Sequence, residues 1–305
     1  MRSKLFVPGS RPELFDKALR SQADAISFDL EDAVSDSRKA DARVALGELL
    51  RSSVVQRARA AAKIIIVRVN AFDTPWFADD IASIVMPSID LINLPKPRGV
   101  HDVRAAAVAI EHMEHVNDVT VPIKMLINIE SPAALQLARR LAIADPRVAG
   151  LQLGLGDLFE PLGIARRESI AVSYAMCAVR VAAGAAGVFA CDAAFADIRD
   201  SAGFRAEAEL ARRLGFVGKS CIHPSQVAIA NEVFRPTEKE IDRALKILEA
   251  AREACVTGTG AYIVDGQMID RPFIERARGV AAHAIRLGLL AESDAPAGVA
   301  DSKVK

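Results

Sequence analysis

Eight short apolar runs recur along the first three-quarters of the chain, at residues 4–7, 25–30, 63–69, 91–94, 123–129, 148–153, 187–190 and 218–222. Several, IIIVRV and IKMLINI among them, are apolar at successive positions instead of alternating, as expected for parallel strands covered on both faces. Between and after the runs lie stretches with helical spacing, among them 12–21, 37–50, 100–115, 131–142, 167–183, 199–214 and 224–234. Strand followed by helix, eight times over some 230 residues, predicts an α/β fold of the (β/α)8 TIM-barrel type, whose usual size is about 250 residues. A doubly wound open sheet is the alternative.

After residue 235 the pattern changes. Two helical stretches, 237–255 and 271–290, are joined by the glycine-rich connector GTGAYIVDGQMID and read as an appendage instead of a ninth unit. Thr237 and Glu240 have capping-box spacing, which marks the start of the first. The expected division is a barrel at 1–235, a C-terminal helical extension at 236–290, and a flexible tail at 291–305.

Composition narrows the partners. The 305 residues are 51% hydrophobic, ample for a full core, and 39 Lys+Arg balance 39 Asp+Glu. No long-range field attracts a polyanion, so nucleic acid is excluded as the main partner. The four cysteines lack paired spacing and read as small buried hydrophobes in a reducing compartment. The apolar run before Pro8 is too short for a signal peptide, and the longest apolar stretch, at 179–195, is interrupted by Arg180 and Asp192. A cytoplasmic protein without a membrane partner is expected.

In such a barrel the chemistry lies at the C-terminal ends of the strands. Five places there carry polar residues: Asp29, Glu31 and Asp32 after the second run; Arg68 with Asn70 at the third; Lys96 between two prolines after the fourth; Glu130 after the fifth; and Asp157 after the sixth. A guanidinium in a buried strand must be paired or face a ligand oxygen, and an ion pair of Arg68 with Glu31 or Asp32 is the structural alternative. Glu130 and Asp157 are 27 residues apart, one strand–helix step, which puts them on neighbouring strand tops. Two carboxylates without a histidine cluster form a hard-oxygen site suited to Mg²⁺; Glu130 as a mere helix entry before Ser131-Pro132 is the bland alternative. Gly154 and Gly156 let backbone N–H groups approach a ligand, although G-x-G is often only a turn. His223, followed at once by Pro224, reads as a helix entry more than a base. No serine or cysteine nucleophile motif is present, so covalent catalysis is not indicated; a Schiff-base lysine at Lys96 or Lys219 is the alternative, although Lys96 between two prolines reads as a rigid loop residue.

The segments RSKLFVPGSRPELFDKA, DAISFDLEDAV, VRVNAFDTPW, LPKP, INIESPAAL, GLGDLFEPLG, CIHPSQVAIANEVFRPT and GAYIVDGQMIDRPFIERAR run in order from Arg2 to about Leu290. Together they resemble the citrate lyase beta-subunit and malyl-CoA lyase family of the HpcH/HpaI aldolase superfamily. The resemblance implies a Mg²⁺-dependent (or Mn²⁺-dependent) enzyme that cleaves or forms a C–C bond in a 3-hydroxyacyl-CoA such as malyl-CoA, citramalyl-CoA or citryl-CoA. The products would be acetyl-CoA or propionyl-CoA and a 2-oxo acid. By the same resemblance the metal carboxylates fall on Glu130 and Asp157, and the substrate arginine on Arg68. Glu31 and Asp32 would support them. The N–H groups of Gly156 and Asp157 would bind the oxo-acid carboxylate. The resemblance makes 1–235 the catalytic barrel and 236–290 a C-terminal helical lid with an oligomerisation role; Asp270 in it, with Asp265 as second choice, would be an acid/base reaching a neighbouring subunit's site, which requires a homo-oligomer, a trimer or hexamer by the family's habit. Asp270 as a simple helix cap is the structural alternative. Arg2, Lys4, Arg11 and Lys96 are available at the rim for the phosphates of CoA. Competing expectations are a citrate lyase beta subunit acting on an acyl carrier protein thioester, a malyl-CoA thioesterase and a non-catalytic CoA-binding subunit.

Overall fold

The computed structural model describes residues 1–257 and 261–296, of 255–257 the backbone only. Eight parallel strands close into a barrel: β1 (Ser3–Pro8), β2 (Ala25–Asp29), β3 (Ile64–Arg68), β4 (Leu91–Leu94), β5 (Lys124–Ile129), β6 (Val148–Leu153), β7 (Phe189–Asp192) and β8 (Gly218–Cys221). Each pairs with the next, and Lys4 opposite Ser220 closes the ring between β1 and β8. The TIM barrel expected from the apolar runs is the fold observed, and the open sheet is not. β7 starts two residues later than its apolar run, because Gly187 is still the left-handed cap (φ 70°) of the helix Ser169–Ala186.

Three helices were not expected, the five-residue Leu155–Phe159 and two of eight residues. Ser53–Ala60 buries only Val55 and is otherwise polar, so its periodicity is faint. Phe77–Ile84, the helix of the third unit, follows the turn around Thr74-Pro75 and buries Phe77, Asp80, Ile81 and Ile84. The apolar stretch at 179–195 is divided between Ser169–Ala186 and β7. By length and composition that helix could cross a membrane, with mean hydropathy 1.5. Here it is a barrel helix, burying Val172, Ala175, Met176, Val179, Ala182 and Ala183. Cys191 and Cys221 are buried as expected, but Cys177 is exposed on this helix; the side chain of Cys255 lies outside the described residues.

The large core fills the space between strands and helices. Inside the barrel, a small apolar plug of Ala25, Ile66 and Leu91, with Met1, Ile64 and Ala149 against it, occupies the end where the strands begin. Two residues further along the same strand faces come Ser27, Arg68 and Asn93, all polar and, except for Arg68, fully buried. The barrel interior therefore changes from apolar to polar toward the C-terminal ends of the strands.

The chain divides into two compact units, Met1–Phe234 and Arg235–Lys305. The second holds the helix Glu238–Thr257, the antiparallel pair β9 (Tyr262–Val264) and β10 (Gln267–Ile269), and the helix Arg271–Arg286. Its start carries the expected capping box: Glu240 N–H donates to Thr237 Oγ1 (3.3 Å) and Thr237 N–H to Glu240 Oε2 (2.8 Å). The glycine-rich connector holds a hairpin, with Asp265 and Gly266 both left-handed (φ 49° and 77°) at its turn. Asp-Gly between YIV and QMI is a strong hairpin signal, because the right-handed twist of two strands calls for such a turn. Of the connector, 258–260 lie outside the described residues, as does the tail from 297 on.

Candidate active site

Asp29 and Arg68 are register partners on adjacent strands. Arg68 Nε and Nη2 donate to Asp29 Oδ1 (2.7 Å) and Oδ2 (2.6 Å), a bidentate fork, and Nη1 lies 2.9 Å from Glu31 Oε2. The Phe6 ring lies under the guanidinium, 5.1 Å away. Burial opposes ionisation of Asp29, but the charge and hydrogen bonds of Arg68 outweigh it and hold the carboxyl below the usual range. The structural ion pair considered for Arg68 is thus present, with Asp29 as its main partner and Glu31 as its second. Asp32 is not a partner; it is exposed and pairs with Lys96 at 2.8 Å.

Lys96 has a left-handed backbone (φ 46°) between Pro95 and Pro97. A non-glycine residue held there stores roughly 1–3 kcal/mol of strain, which persists only where surrounding contacts fix it. Those contacts are its N–H, donated to Glu130 Oε1 at 2.7 Å, and its ammonium, 2.8 Å from Glu31 Oε1 and 2.8 Å from Asp32 Oδ1. The lysine expected to meet CoA is therefore bound by two carboxylates and ties the end of β2 to the end of β5. Behind it, buried Lys39 donates to the carbonyls of Leu30 (3.0 Å) and Glu31 (3.1 Å) under the Trp76 ring, and Asn70 Nδ2 donates to the Leu30 carbonyl (3.0 Å). Asn70 supports the acidic loop.

Glu130 is buried, 4% exposed, and among the described residues no cation pairs with it. Its Oε2 accepts from Asn128 Nδ2 at 2.9 Å. Burial first, then the like charge of Glu31, pushes its carboxyl up to about 7, against the pull of the Lys96 N–H and Arg68. Asp157 adds to the repulsion from the first turn of the short helix Leu155–Phe159, where it is exposed. The next helix is capped by Ser131, whose Oγ accepts from Ala134 N–H (3.1 Å), so helix entry does not employ Glu130. Gly154 has a different use from the one expected: a Cβ there would sit 2.6 Å from Glu130 Cβ and 2.9 Å from Oε2. Gly154→Ala is therefore expected to lower unfolding free energy by about 1–3 kcal/mol, the range for overpacking, read from urea denaturation. Gly156 faces open space, as an approach to a ligand requires.

Several sequence candidates fall elsewhere. Arg2 precedes β1, at the opposite end of the barrel, and pairs with Asp24 (2.7 Å), so it does not belong to the rim. Lys4 is fully buried inside the barrel: its ammonium reaches Asn93 Oδ1 (3.3 Å), and because β1 and β4 are not neighbours that contact crosses the interior. Burial pushes the Lys4 amine down to about 8. Arg11 is exposed at the mouth and pairs with Glu13. Lys219 is buried between Asp192 and Glu207, both 2.6 Å away, which commits its ammonium to ion pairs and removes it as a Schiff-base candidate. His223 is a helix N-cap whose Nδ1 accepts from Ser225 N–H (3.2 Å), as expected. In the second unit, Asp265 is exposed in the hairpin turn, 3.4 Å from Lys246. Asp270 stands at the N-cap position but makes no capping hydrogen bond, and its Oδ1 is buried with no partner. The simple cap is not realised.

Lys39, Asn93 and Asn128 are parts of the site to which the sequence pattern assigned no role. The two asparagines carried a signal: an amide in the middle of LINL or KMLINI must face a polar interior.

With all groups ionised, five carboxylates (Asp29, Glu31, Asp32, Glu130, Asp157) meet four cations (Lys4, Lys39, Arg68, Lys96), an excess of one negative charge. Among the described residues, no cluster of three or more His, Cys, Asp or Glu could hold a metal. A cation at this mouth would have Glu130 and Asp157 from the protein and take its remaining ligands from water and substrate, the habit of Mg²⁺.

Residues 2–224 match the family model for HpcH/HpaI aldolase/citrate lyase. The chain belongs to this family. Membership of the HpcH/HpaI family places it among carbon–carbon lyases. Within the family it is 36% identical over 279 residues to a citrate lyase subunit beta of Haemophilus influenzae, covering 91% of this chain and 94% of the other. It is 33% identical over 304 residues to an L-malyl-CoA/beta-methylmalyl-CoA lyase of Cereibacter sphaeroides, covering 93% and 94%. Its fold matches the crystal structure of protein CitE from Mycobacterium tuberculosis in complex with magnesium, acetoacetate and coenzyme A, with TM-score 0.73 and 29% identity over 93% of this chain and 99% of that one.

Proposed function

We propose that the protein is a Mg²⁺-dependent lyase that cleaves, or forms, the C–C bond of a 3-hydroxyacyl-CoA of the malyl-CoA, citramalyl-CoA or citryl-CoA type, giving acetyl-CoA or propionyl-CoA and a 2-oxo acid. The observation that carries this is Glu130: a buried, unpaired carboxylate at a mouth with a surplus negative charge, beside an arginine locked in place. Glu130 and Asp157 would hold the metal, which supplies Lewis acidity to the hydroxyl and the adjacent carboxylate of the substrate. Arg68, fixed by Asp29, Glu31 and Phe6, offers a preorganised positive charge to the enolate oxygen that develops as the bond breaks. The N–H groups of Gly156 and Asp157 receive the oxo-acid carboxylate. Asp270, from a neighbouring subunit of a cytoplasmic homo-oligomer, delivers the proton to the enolate carbon, and residues 236–290 act as a lid that excludes water.

Incubation of the purified chain with Mg²⁺ and a panel of 3-hydroxyacyl-CoA thioesters, following 2-oxo acid and acyl-CoA together, is the test. Stoichiometric appearance of both, abolished by EDTA, is expected. Free hydroxy acid with CoA would show a thioesterase instead; turnover only of thioesters on an acyl carrier protein would show a citrate lyase beta subunit; binding of CoA without turnover would show a non-catalytic subunit.

A further inference from the structure

Lys4 is the anomaly of the barrel interior. It is fully buried, and among the described residues no carboxylate lies within ion-pair distance of it. Asp29 and Glu130 act on it only from beyond that distance; a charge held without an ion pair is costly unless hydrogen bonds lead its field somewhere useful, and a methionine would fill the same space without that cost. Its neighbours are the Phe6 ring, 4.3 Å away, and Asn93.

From Lys4 a single file of hydrogen bonds runs across β1, β4 and β5. Lys4 Nζ donates to Asn93 Oδ1 (3.3 Å), Asn93 Nδ2 to Asn128 Oδ1 (2.7 Å), and Asn128 Nδ2 to Glu130 Oε2 (2.9 Å). The two ends dictate the sense of the file. An ammonium only donates and a carboxylate only accepts, so both amides must turn their oxygen toward Lys4 and their nitrogen toward Glu130. The second hydrogen of Asn93 Nδ2 is taken by the Leu126 carbonyl (3.0 Å), which fixes that amide further. Aligned dipoles in a low-dielectric interior polarise one another, and here all of them favour negative charge at Glu130.

We propose that Lys4, Asn93 and Asn128 are positioning residues: a one-way relay that transmits the Lys4 charge to Glu130 and fixes the orientation in which that carboxylate receives a divalent cation. This rests on the reading of Glu130 as a cation ligand. With Oε2 held by Asn128 and Oε1 by the Lys96 N–H, the remaining lone pairs have one orientation before any ligand arrives.

The test is a double-mutant cycle on the full chain, with Mn²⁺ alone as probe and its binding read from the loss of the free-ion EPR signal. Lys4→Met is expected to weaken Mn²⁺ binding about tenfold, within the range for residues coupled in one network, the loss of the relay outweighing what removal of one cation from the interior gains. Lys4→Gln, which keeps a donor but not the charge, should fall between Met and wild type, and it serves alone should the methionine variant not fold. In a Glu130→Gln background the Lys4 substitution should no longer weaken binding, because the relay has lost its target. Unchanged Mn²⁺ affinity on removing the Lys4 charge, or equal weakening with and without the Glu130 carboxylate, overturns the relay. If Glu130→Gln itself binds Mn²⁺ like wild type, the ligand reading fails and the relay falls with it. Weakening by Glu130→Gln with none from Lys4 defeats the relay alone.

Discussion

Glu130→Gln is expected to lower kcat/KM by about three orders of magnitude, since losing a charged ligand of a Lewis-acid ion forfeits several kcal/mol in the transition state at 1.36 kcal/mol per decade. The fold should survive. Glutamine fills the same space beside Gly154 and can still accept one of the two hydrogen bonds, from Lys96 N–H or Asn128, while its amide nitrogen meets the other donor. Losing one hydrogen bond is offset by no longer burying a charge, so urea unfolding should shift by no more than about 1 kcal/mol. The kinetic signature separates a ligand from a substrate contact: the Mg²⁺ concentration for half-activity should rise steeply, with a much smaller change in KM for the thioester at saturating metal. A variant with normal Mg²⁺ dependence and only a raised KM would remove Glu130 from the metal and assign it to substrate binding. Asp157→Asn, at an exposed position with no packing to disturb, should repeat the metal effect with unchanged stability.

What the sequence showed of this site follows from where polar residues interrupt apolar runs. Arg68 and Glu130 stood out because each is a charge at the C-terminal end of such a run, where it must be paired or face a ligand. The partner of Arg68 was less visible. Asp29, Glu31 and Asp32 are equivalent by spacing, and only the register that sets Asp29 beside Arg68 tells them apart. Lys4 was misplaced for a physical reason. In a barrel strand both faces are buried, so an apolar run has no alternation to say whether a polar residue points to the interior, the helices or the mouth. The same ambiguity hid Asn93 and Asn128, and it concealed that Lys219 lies on the outer face against Glu207. The hairpin was legible in principle, since Asp265-Gly266 is a turn signal of its own, but three-residue strands give too little alternation to mark them. The left-handed backbone of Lys96 was out of reach, because it arises from contacts with Glu31, Asp32 and Glu130 that are distant in sequence.

Asp270→Asn is expected to reduce turnover by about 10²- to 10⁴-fold, the contribution of one positioned general acid. Asparagine preserves shape and cannot exchange a proton, so the loss belongs to protonation of the enolate carbon. That step can be isolated. Acetyl-CoA alone in D₂O should lose its methyl proton signal through wild-type enzyme and Mg²⁺, by reversible removal of a proton, and should keep it with the variant. The structure favours this aspartate over a cap: its Oδ1 is buried without a partner, an unsatisfied acceptor that a purely structural N-cap would have filled from the N–H of the following turn. Asp265, exposed and facing Lys246, serves as control, and Asp265→Asn should leave exchange intact. Whether the acid is shared between subunits is decided by mixing two inactive proteins. Protomers carrying Asp270→Asn and protomers carrying Glu130→Gln, dissociated and reassembled together, should recover part of the activity, because some sites then combine an intact barrel with an intact Asp270 from the neighbour. Glu130→Gln is the better complement than an Arg68 variant, since removing that guanidinium would leave Asp29 and Glu31 buried and unpaired. Recovery of nothing, with each protein folded and associated, would confine Asp270 to its own chain. Full methyl exchange by Asp270→Asn would remove it from the proton transfer altogether.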